Sequence, residues 1–391
     1  MNIAIYTNIL TPYRKYFYDF LNAECKKRGD NFHVILMAET EPDRKWHYRD
    51  LKSEYTILLK SKTLTVAGAY IHINRGLKTV LKKLQLDVLI CAGGYLCPGI
   101  WQALRLRKDF HYQAYFWSES HLNEVKQHRS AVGRLREMIR KSVYRKFDGF
   151  WYAGKLSKEF IRCYSSADAD LLFVPNLVEE AVFESAYSVS ESVKESIKTQ
   201  MGLSAEKIIM LCPARLTAVK GIDRFLEIFS NTREKDSFCI LLAGDGEQKE
   251  RIAEIAGGNH LDVRILGYCS QKEMVKLYSI SDVLLLPSLS DPNPLTCIEA
   301  LWAGLFLLIS DHCGNYPEVV ESPENGFVFS YADHSGIDAI LSQLAHHDTA
   351  WYEKAGNASH TIAASHYRTA ETVNRILTHH AERLQEKGAL D

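Results

Sequence analysis

Short apolar runs alternate along this chain with segments whose apolar residues recur at helical spacing, and the alternation restarts once near the middle. In the first half the strand-like runs fall at 3–7, 32–37, 87–92, 112–117, 149–152 and 171–174, and helical patterns cover 13–28, 74–84, 131–145 and 155–164. Apolar runs of this length, bounded by turn residues, read as strands buried on both faces. Strands separated by helical segments predict a parallel sheet with crossover helices. Polar residues thicken from 179 to 200, which predicts a linker and a charged helix. A second alternation follows, with strands at 208–213, 238–243, 263–266, 283–286 and 306–310 and helices at 222–229, 248–256, 272–279 and 295–303. No low-complexity tract or short-period repeat interrupts it. The pattern predicts an α/β chain of two Rossmann-like, doubly wound domains facing each other across a cleft. Residues 1–175 would form the first domain and 176–365 the second, with a C-terminal helix over 366–391 placed to cross back to the first.

Composition sharpens this picture in one respect. The 391 residues are 46% hydrophobic and 24% charged, as expected of a globular chain with room for two cores, and the net charge is −1. That balance conceals an asymmetry. Residues 1–175 carry 29 Lys+Arg against 17 Asp+Glu, whereas 176–391 carry 18 against 31. The basic half favours an anionic partner or surface. Nucleic acid is not expected, because zinc-finger spacing, RNP-like aromatics and a basic tail are all missing. The nine cysteines include no C-x-x-C pair, and Cys91, Cys212 and Cys239 sit in apolar runs, so they read as reduced core thiols. The first residues already read as a strand rather than a secretory signal, and the longest apolar stretch, 301–309, is nine residues long. It is too short to span a bilayer. These features place the chain in the cytoplasm or at the inner face of the plasma membrane, with any membrane contact peripheral.

The chemistry concentrates after the second-half strands, where ligands of such sheets bind. Asp291-Pro-Asn293-Pro294-Leu295-Thr296 leads into a helix that carries Glu299, with Asn293 as expected N-cap. Two carboxylates eight positions apart thus straddle a helix start, whose free N–H groups and positive dipole end favour a bound anion. A phosphate held between a loop acid and a helix acid points to a sugar nucleotide, with carboxylates on sugar or ribose hydroxyls. Upstream, Arg215 and Lys220 lie five positions apart on one loop. They can reach one diphosphate, Arg through its planar fork and Lys as a point charge. A departing nucleoside diphosphate gains negative charge as the glycosidic bond breaks, so such cations favour the transition state over the ground state. Gly244-Asp245-Gly246 and Leu266-Gly267-Tyr268 end the next two strands and offer close backbone approach and a seat for a flat base.

Taken in order, Arg-x4-Lys-Gly, Gly-Asp-Gly, Leu-Gly-Tyr, Leu-Pro-Ser, acid-x7-Glu-Ala and Gly-x-x-Pro-Glu resemble the retaining glycosyltransferases of family 4, which have the GT-B fold. Val174-Pro-Asn176 is similar to that family's turn before the second domain, so the likeness covers most of 170–330. The resemblance implies that Arg215 and Lys220 bind the donor diphosphate, Glu299 the ribose and Asp291 the transferred sugar. Asn293 to Thr296 would meet sugar and phosphate through their backbone, with Gly244, Asp245 and Leu266 to Tyr268 around the nucleotide. Two departures stand out. Asp291 replaces the usual Glu, and Cys313 precedes Gly314 where the family has a glycine pair. The first loop, Asn8 to Pro12, also lacks the family's glycines and offers the Asn8 side chain instead.

The first half matches only in pattern. Glu119 or His121, after the strand at 112–117, would line the donor sugar, with Glu119 counted among the catalytic candidates beside Asp291, Lys220 and Arg215. Asn8, Tyr13, Gly94 and His121 are assigned to the acceptor side. Lys126 to Lys146 carries eight Lys+Arg and one acid, with Val132, Leu135, Ile139 and Val143 on one helical face. That reads either as a helix lying on anionic lipid or as a domain helix with a solvated face. His346, His347, His379 and His380 lack metal-ligand spacing and read as surface helix. The resemblance implies retaining transfer from a nucleoside diphosphate sugar, UDP favoured, to a saccharide or lipid-linked acceptor in bacterial cell-surface polysaccharide synthesis. No Asp-x-Asp metal clamp is evident, so no cofactor and no metal are expected. The alternatives are a sugar-nucleotide epimerase or phosphorylase of the same fold, or a non-catalytic sugar-nucleotide-binding subunit.

Overall fold

Among the described residues nine strands form in the first part of the chain: β1 (Asn2–Thr7), β2 (Asn31–Leu36), β3 (Thr56–Leu58), β4 (Lys60–Val66), β5 (Ala69–Arg75), β6 (Val88–Ala92), β7 (Gln113–Ser118), β8 (Gly149–Tyr152) and β9 (Asp170–Phe173). This is a computed structural model, and it describes residues 1–41, 48–66, 69–122 and 131–388. Seven of the strands make one sheet in the order β3-β2-β1-β6-β7-β8-β9. Every pairing in it is parallel. Residues 88–92 and 113–118 are buried along their whole length, as a sheet covered on both faces requires. The sequence reading did not anticipate the antiparallel hairpin β4–β5. Nor did it anticipate the helix Pro98–Phe110. The helical pattern expected from residue 74 begins only at Leu77, because Asn74 and Arg75 complete β5 and Gly76 breaks the chain at φ 91°.

By internal contacts, Met1–Leu177 and Thr369–Asp391 make one compact unit and Val178–Arg368 the other. The last helix, Thr369–Gly388, packs within the first unit against the helix Pro12–Arg28. This corrects the surface reading of its histidines. His380 is 0% exposed. Its Nε2 accepts from the Trp151 indole at 3.1 Å, and Tyr115 packs edge-on at 4.6 Å. Next to it, the Asp170 carboxylate accepts from His379 at 2.6 Å and from Tyr115 at 2.6 Å, with Arg383 at 3.3 Å. Burial opposes the Asp170 charge, but these donors outweigh it and hold the carboxyl below its usual range.

Burial, helped by neighbouring His379, pushes the His380 imidazole down to about 3. In the unfolded chain a histidine takes up its proton near pH 6.5. Below that pH the unfolded state binds the extra proton, so this contribution is complete above pH 6.5 and is lost as pH falls. We expect His380 to account for ~3 kcal/mol of lost stability between pH 7 and pH 4. Urea titrations followed by Trp fluorescence should show a shallower acid slope in His380→Gln, which keeps an acceptor for Trp151. Equal slopes would remove His380 from the account.

The second unit holds β10 (Ile208–Cys212), β11 (Phe238–Ala243), β12 (Val263–Gly267), β13 (Val283–Leu286), β14 (Phe306–Ser310) and β15 (Gly326–Phe329). They form a six-stranded sheet in the order β12-β11-β10-β13-β14-β15. All its pairings are parallel. This is the Rossmann order, and the direction of winding reverses between β10 and β13. The stretch read as a linker with one charged helix forms two helices, Glu180–Tyr187 and Glu191–Gln200. Among the described residues no helix is long and apolar enough to cross a membrane.

Candidate functional site

The winding reverses between β10 and β13, the point at which sheets of this kind receive ligands beyond the carboxyl ends of their strands, and the loops that leave these two strands are tied to each other. Leu289 N–H donates to the Val219 carbonyl at 2.8 Å. The Tyr331 hydroxyl lies 2.6 Å from the Pro287 carbonyl oxygen and 3.1 Å from that of Gly221. Gly221 sits at φ 63° beneath the Pro287 carbonyl, where a Cβ would collide with it. The short turn Ala218–Lys220 therefore ends in a fixed place. It brings Lys220 Nζ to 2.5 Å from Asp291 Oδ2, with side chains 19% and 14% exposed. Asp291 is held in turn by the loop after β14, its N–H donating to the His312 carbonyl at 3.2 Å and its carbonyl accepting from Gly314 at 2.8 Å. Arg215 is exposed on the same loop as Lys220 and makes no ion pair or side-chain hydrogen bond among the described residues.

The second acid is held differently. The helix Leu295–Trp302 buries Cys297, Ile298, Ala300, Leu301 and Trp302 and leaves Glu299 partly exposed. Glu299 Oε2 accepts from the Tyr278 hydroxyl at 2.7 Å. Burial pushes this carboxyl up to about 6, against the Tyr278 bond, which lowers it. The expected N-cap is corrected: Pro294, extended at φ −65° and ψ 120°, occupies that position, and Asn293 lies one residue outside. Pro294 cannot cap with a side chain, and its carbonyl is anchored at 3.0 Å by the Asn315 amide. Thr296 and Leu295 are partly exposed in the first turn.

Gly244 and Gly246 are glycines for a reason internal to the unit. A Cβ on Gly244 would overlap the Ala214 carbonyl, and one on Gly246 the Leu216 carbonyl. The close approach they permit is that of the Arg215 loop itself, with Asp245 exposed between them and its carbonyl accepting from Leu216 at 3.0 Å. Gly267, the last residue of β12, turns at φ 76° and bridges to Gly244, while Leu266 is partly buried and Tyr268 is 80% exposed. Cys313, in place of a second glycine, is fully buried with its thiol 3.7 Å from the Leu286 carbonyl.

In the first unit, Asn8 donates to Glu41 at 3.4 Å and packs against Gly93, while Gly94 accepts from Cys97 N–H at 2.8 Å. Tyr13 is 36% exposed and His121 is buried at 3%. Glu119 pairs with Arg14. Sequence reasoning missed Tyr278, Tyr331 and Asn315, which support the loops and acids of the second unit, and Arg14 in the first. Only Arg14 carried a signal, as one of two adjacent cations, with Lys15, in the first turn of a helix without an acid there.

Comparison with known proteins adds family and fold. Residues 193–359 match the family model described as glycosyl transferases group 1. The chain is 22% identical over 209 residues to N-acetyl-alpha-D-glucosaminyl L-malate synthase of Bacillus anthracis, covering 54% of this chain and 53% of that protein. It is 29% identical over 169 residues to the amylovoran biosynthesis glycosyltransferase AmsK of Erwinia amylovora, covering 38% and 41%. The matched stretch spans about half the length of these relatives, or less. Among solved structures, sucrose-phosphate synthase from Thermosynechococcus elongatus aligns over 100% of both chains with a TM-score of 0.71 and 18% identity. Anabaena HepE in complex with UDP aligns over 99% of this chain and 100% of its own, with a TM-score of 0.75 and 15% identity. Likeness at that level is one of fold, and the fold is GT-B.

Proposed function

We propose, from the premise that this chain belongs through residues 193–359 to the glycosyl transferases group 1, that it transfers a sugar from a nucleoside diphosphate donor to a saccharide or lipid-linked acceptor, with retention of anomeric configuration. The observation that carries this reading is the pairing of Lys220 with Asp291 at the winding reversal, with Arg215 unpaired beside it and Glu299 across the helix start. An ammonium has three donors, and Asp291 takes one, so two remain for phosphate oxygens. Arg215 and Lys220 would hold the diphosphate and stabilise it as it leaves. The first-turn N–H groups at Leu295 and Thr296 add donors at the positive end of a helix. Glu299 would accept from the ribose and Asp291 would face the sugar, with Asn293 and Pro294 lining it. Gly244, Asp245 and Leu266 to Tyr268 would border the base.

UDP is the favoured nucleotide, supported by the likeness to HepE, which was solved with UDP. The fixed cations would do the work of a metal, so turnover should survive chelation with EDTA. The likeness to AmsK, an amylovoran biosynthesis glycosyltransferase, supports an acceptor in polysaccharide synthesis, for which we favour the cell surface. On the acceptor side stand Asn8, Tyr13, Gly94 and His121, with Glu119 as a further catalytic candidate. Calorimetry with free UDP tests the donor site, and no measurable binding would sink the reading. Transfer of sugar to an added acceptor would set it apart from an epimerase, a phosphorylase or a silent binding subunit.

A membrane-bound acceptor is favoured by one feature of the helix Ala131–Tyr144. Val143 is buried, but Val132, Leu135 and Met138 are 62%, 56% and 69% exposed, beside Arg134, Arg136 and Lys141. Lys126, at the start of the basic stretch, lies outside the described residues. Aliphatic side chains amid cations suit the boundary of an anionic bilayer, at about 1 kcal/mol per near-surface cation. The screening length is ~8 Å at physiological salt. The protein should therefore sediment with anionic vesicles at low salt, release as salt rises and ignore neutral vesicles. Reversing Arg134, Arg136 and Lys141 to Glu should abolish sedimentation while sparing donor hydrolysis. Equal binding to both kinds of vesicle, or none at low salt, would leave this face solvated.

A further inference from the structure

Arg14 stands in an expensive place. It lies in the first turn of the helix Pro12–Arg28, which holds no acid there and whose N-cap, Thr11, makes no side-chain cap bond. A cation is disfavoured at that end of the dipole. Its side chain is only 14% exposed. The guanidinium lies 3.6 Å from the Trp117 ring centroid and 5.7 Å from that of Tyr13. Among the described residues the carboxylate it pairs with is Glu119, whose side chain is 33% exposed. Burying such a pair seldom adds stability compared with apolar packing, so the arrangement asks for another explanation. The asymmetry supplies one: the cation is buried and stacked, while the acid it grips is presented to solvent. Both follow the carboxyl ends of strands, Arg14 after β1 and Glu119 after β7, where sheets of this winding receive ligands.

We propose that Arg14 is a positioning residue that fixes the Glu119 carboxylate as the acceptor of two neighbouring hydroxyls of a saccharide bound to the first unit. This deepens the acceptor side of the transferase reading and rests on it. Arg14 Nη2 engages Glu119 Oε1. A carboxylate has about four lone-pair sites, so Oε2 and the rest of Oε1 remain for a diol. Stacking on Trp117 keeps the planar guanidinium from turning, which a flexible ammonium could not reproduce.

The test is ligand-observed NMR with the methyl glycosides of glucose, galactose, mannose and N-acetylglucosamine, on wild type, Glu119→Gln, Arg14→Met, Arg14→Lys and the double variant Arg14→Met/Glu119→Gln. Calorimetry with free UDP runs on the same samples. At least one glycoside should bind wild type, and Glu119→Gln and Arg14→Met should each weaken it about tenfold or more. The double variant should lose no more than either single one, and Arg14→Lys should recover part of the loss. UDP affinity should not change in any of them. The proposal is overturned if no glycoside binds wild type, if either single variant binds as wild type does, or if the two losses multiply. Should Arg14→Met fail to fold, the near-isosteric Glu119→Gln and Arg14→Lys decide alone. Failure to bind UDP in wild type would instead strike at the transferase reading, whatever the glycosides do.

Discussion

Replacing Lys220 with alanine should lower turnover of the nucleotide sugar by about 10²–10³-fold, a loss of ~3–4 kcal/mol of transition-state stabilisation typical of a removed charge donor. The loss has two sources. On the proposed reading the departing diphosphate would forfeit a fixed ammonium at the moment its charge grows, and Asp291, 14% exposed, would be left without its partner at 2.5 Å. Arg215→Ala should cost less, because Arg215 is exposed and its removal strands no acid. A rate in Lys220→Ala/Asp291→Asn above that of Lys220→Ala would charge at least that part to the stranded acid, since Asp291→Asn by itself lowers turnover. Steady-state rates on folded protein decide the matter. If Lys220→Ala kept more than about a tenth of wild-type turnover, less than ~1.4 kcal/mol would have been lost and Lys220 would not be holding the leaving group.

Glu299→Gln should weaken binding of free UDP by roughly 10–100-fold, as expected for a lost hydrogen bond to a charged group of ~1.5–3 kcal/mol. Asp291→Asn should leave UDP binding intact while lowering turnover, since it would meet the sugar and its loss frees a Lys220 donor. Equal losses in both would refute this division of roles. The pH dependence follows from burial, which holds the Glu299 carboxyl up at about 6. Wild-type UDP affinity should fall more steeply as pH drops through 6 than that of Glu299→Gln, which keeps only the fall due to protonation of the terminal phosphate near pH ~6. Stability runs the other way. The folded pKa lies above the unfolded one, so the folded state binds more protons between about 4.5 and 6, and wild-type stability falls as pH rises through that window. Above it, Glu299→Gln should be more stable than wild type by up to ~2 kcal/mol. A variant that binds worse and melts higher would mark Glu299 as an acid kept for binding at the expense of the fold.

What could be read from the sequence followed from how strongly each segment declared its period. β11, β13 and β14 are uninterrupted apolar runs, and their bounds fall where they were expected. The helix Ile222–Phe229 buries Ile222, Phe225, Leu226 and Phe229 at the spacing that predicted it. β3, with three residues, is too short for any period to show, and β15 opens on Gly326, which leaves an apolar run of only three. β4 reads Lys-Ser-Lys-Thr-Leu-Thr, whose alternation is too polar to announce a strand, and its partner β5 ran into a pattern that resembled a helix start. His380 looked like surface because it sits in a run of polar residues, and only packing against Trp151 and Tyr115 shows otherwise. The acids and cations of the second unit were legible because motif spacing ties them to strand ends. Tyr278 and Tyr331 were not, because a buried tyrosine reads as core until its hydroxyl is seen to have a task.

On the proposed function, the second unit holds an activated sugar by its diphosphate. Incubating pure protein with UDP-glucose, UDP-galactose, UDP-N-acetylglucosamine, GDP-mannose and ADP-glucose, and following release of free nucleoside diphosphate with EDTA present, tests it most directly. Slow hydrolysis of at least one donor is expected, UDP-linked in preference, falling by about 10²-fold or more in Lys220→Ala. No release from any of the five, or release that Lys220→Ala leaves unchanged, would contradict it.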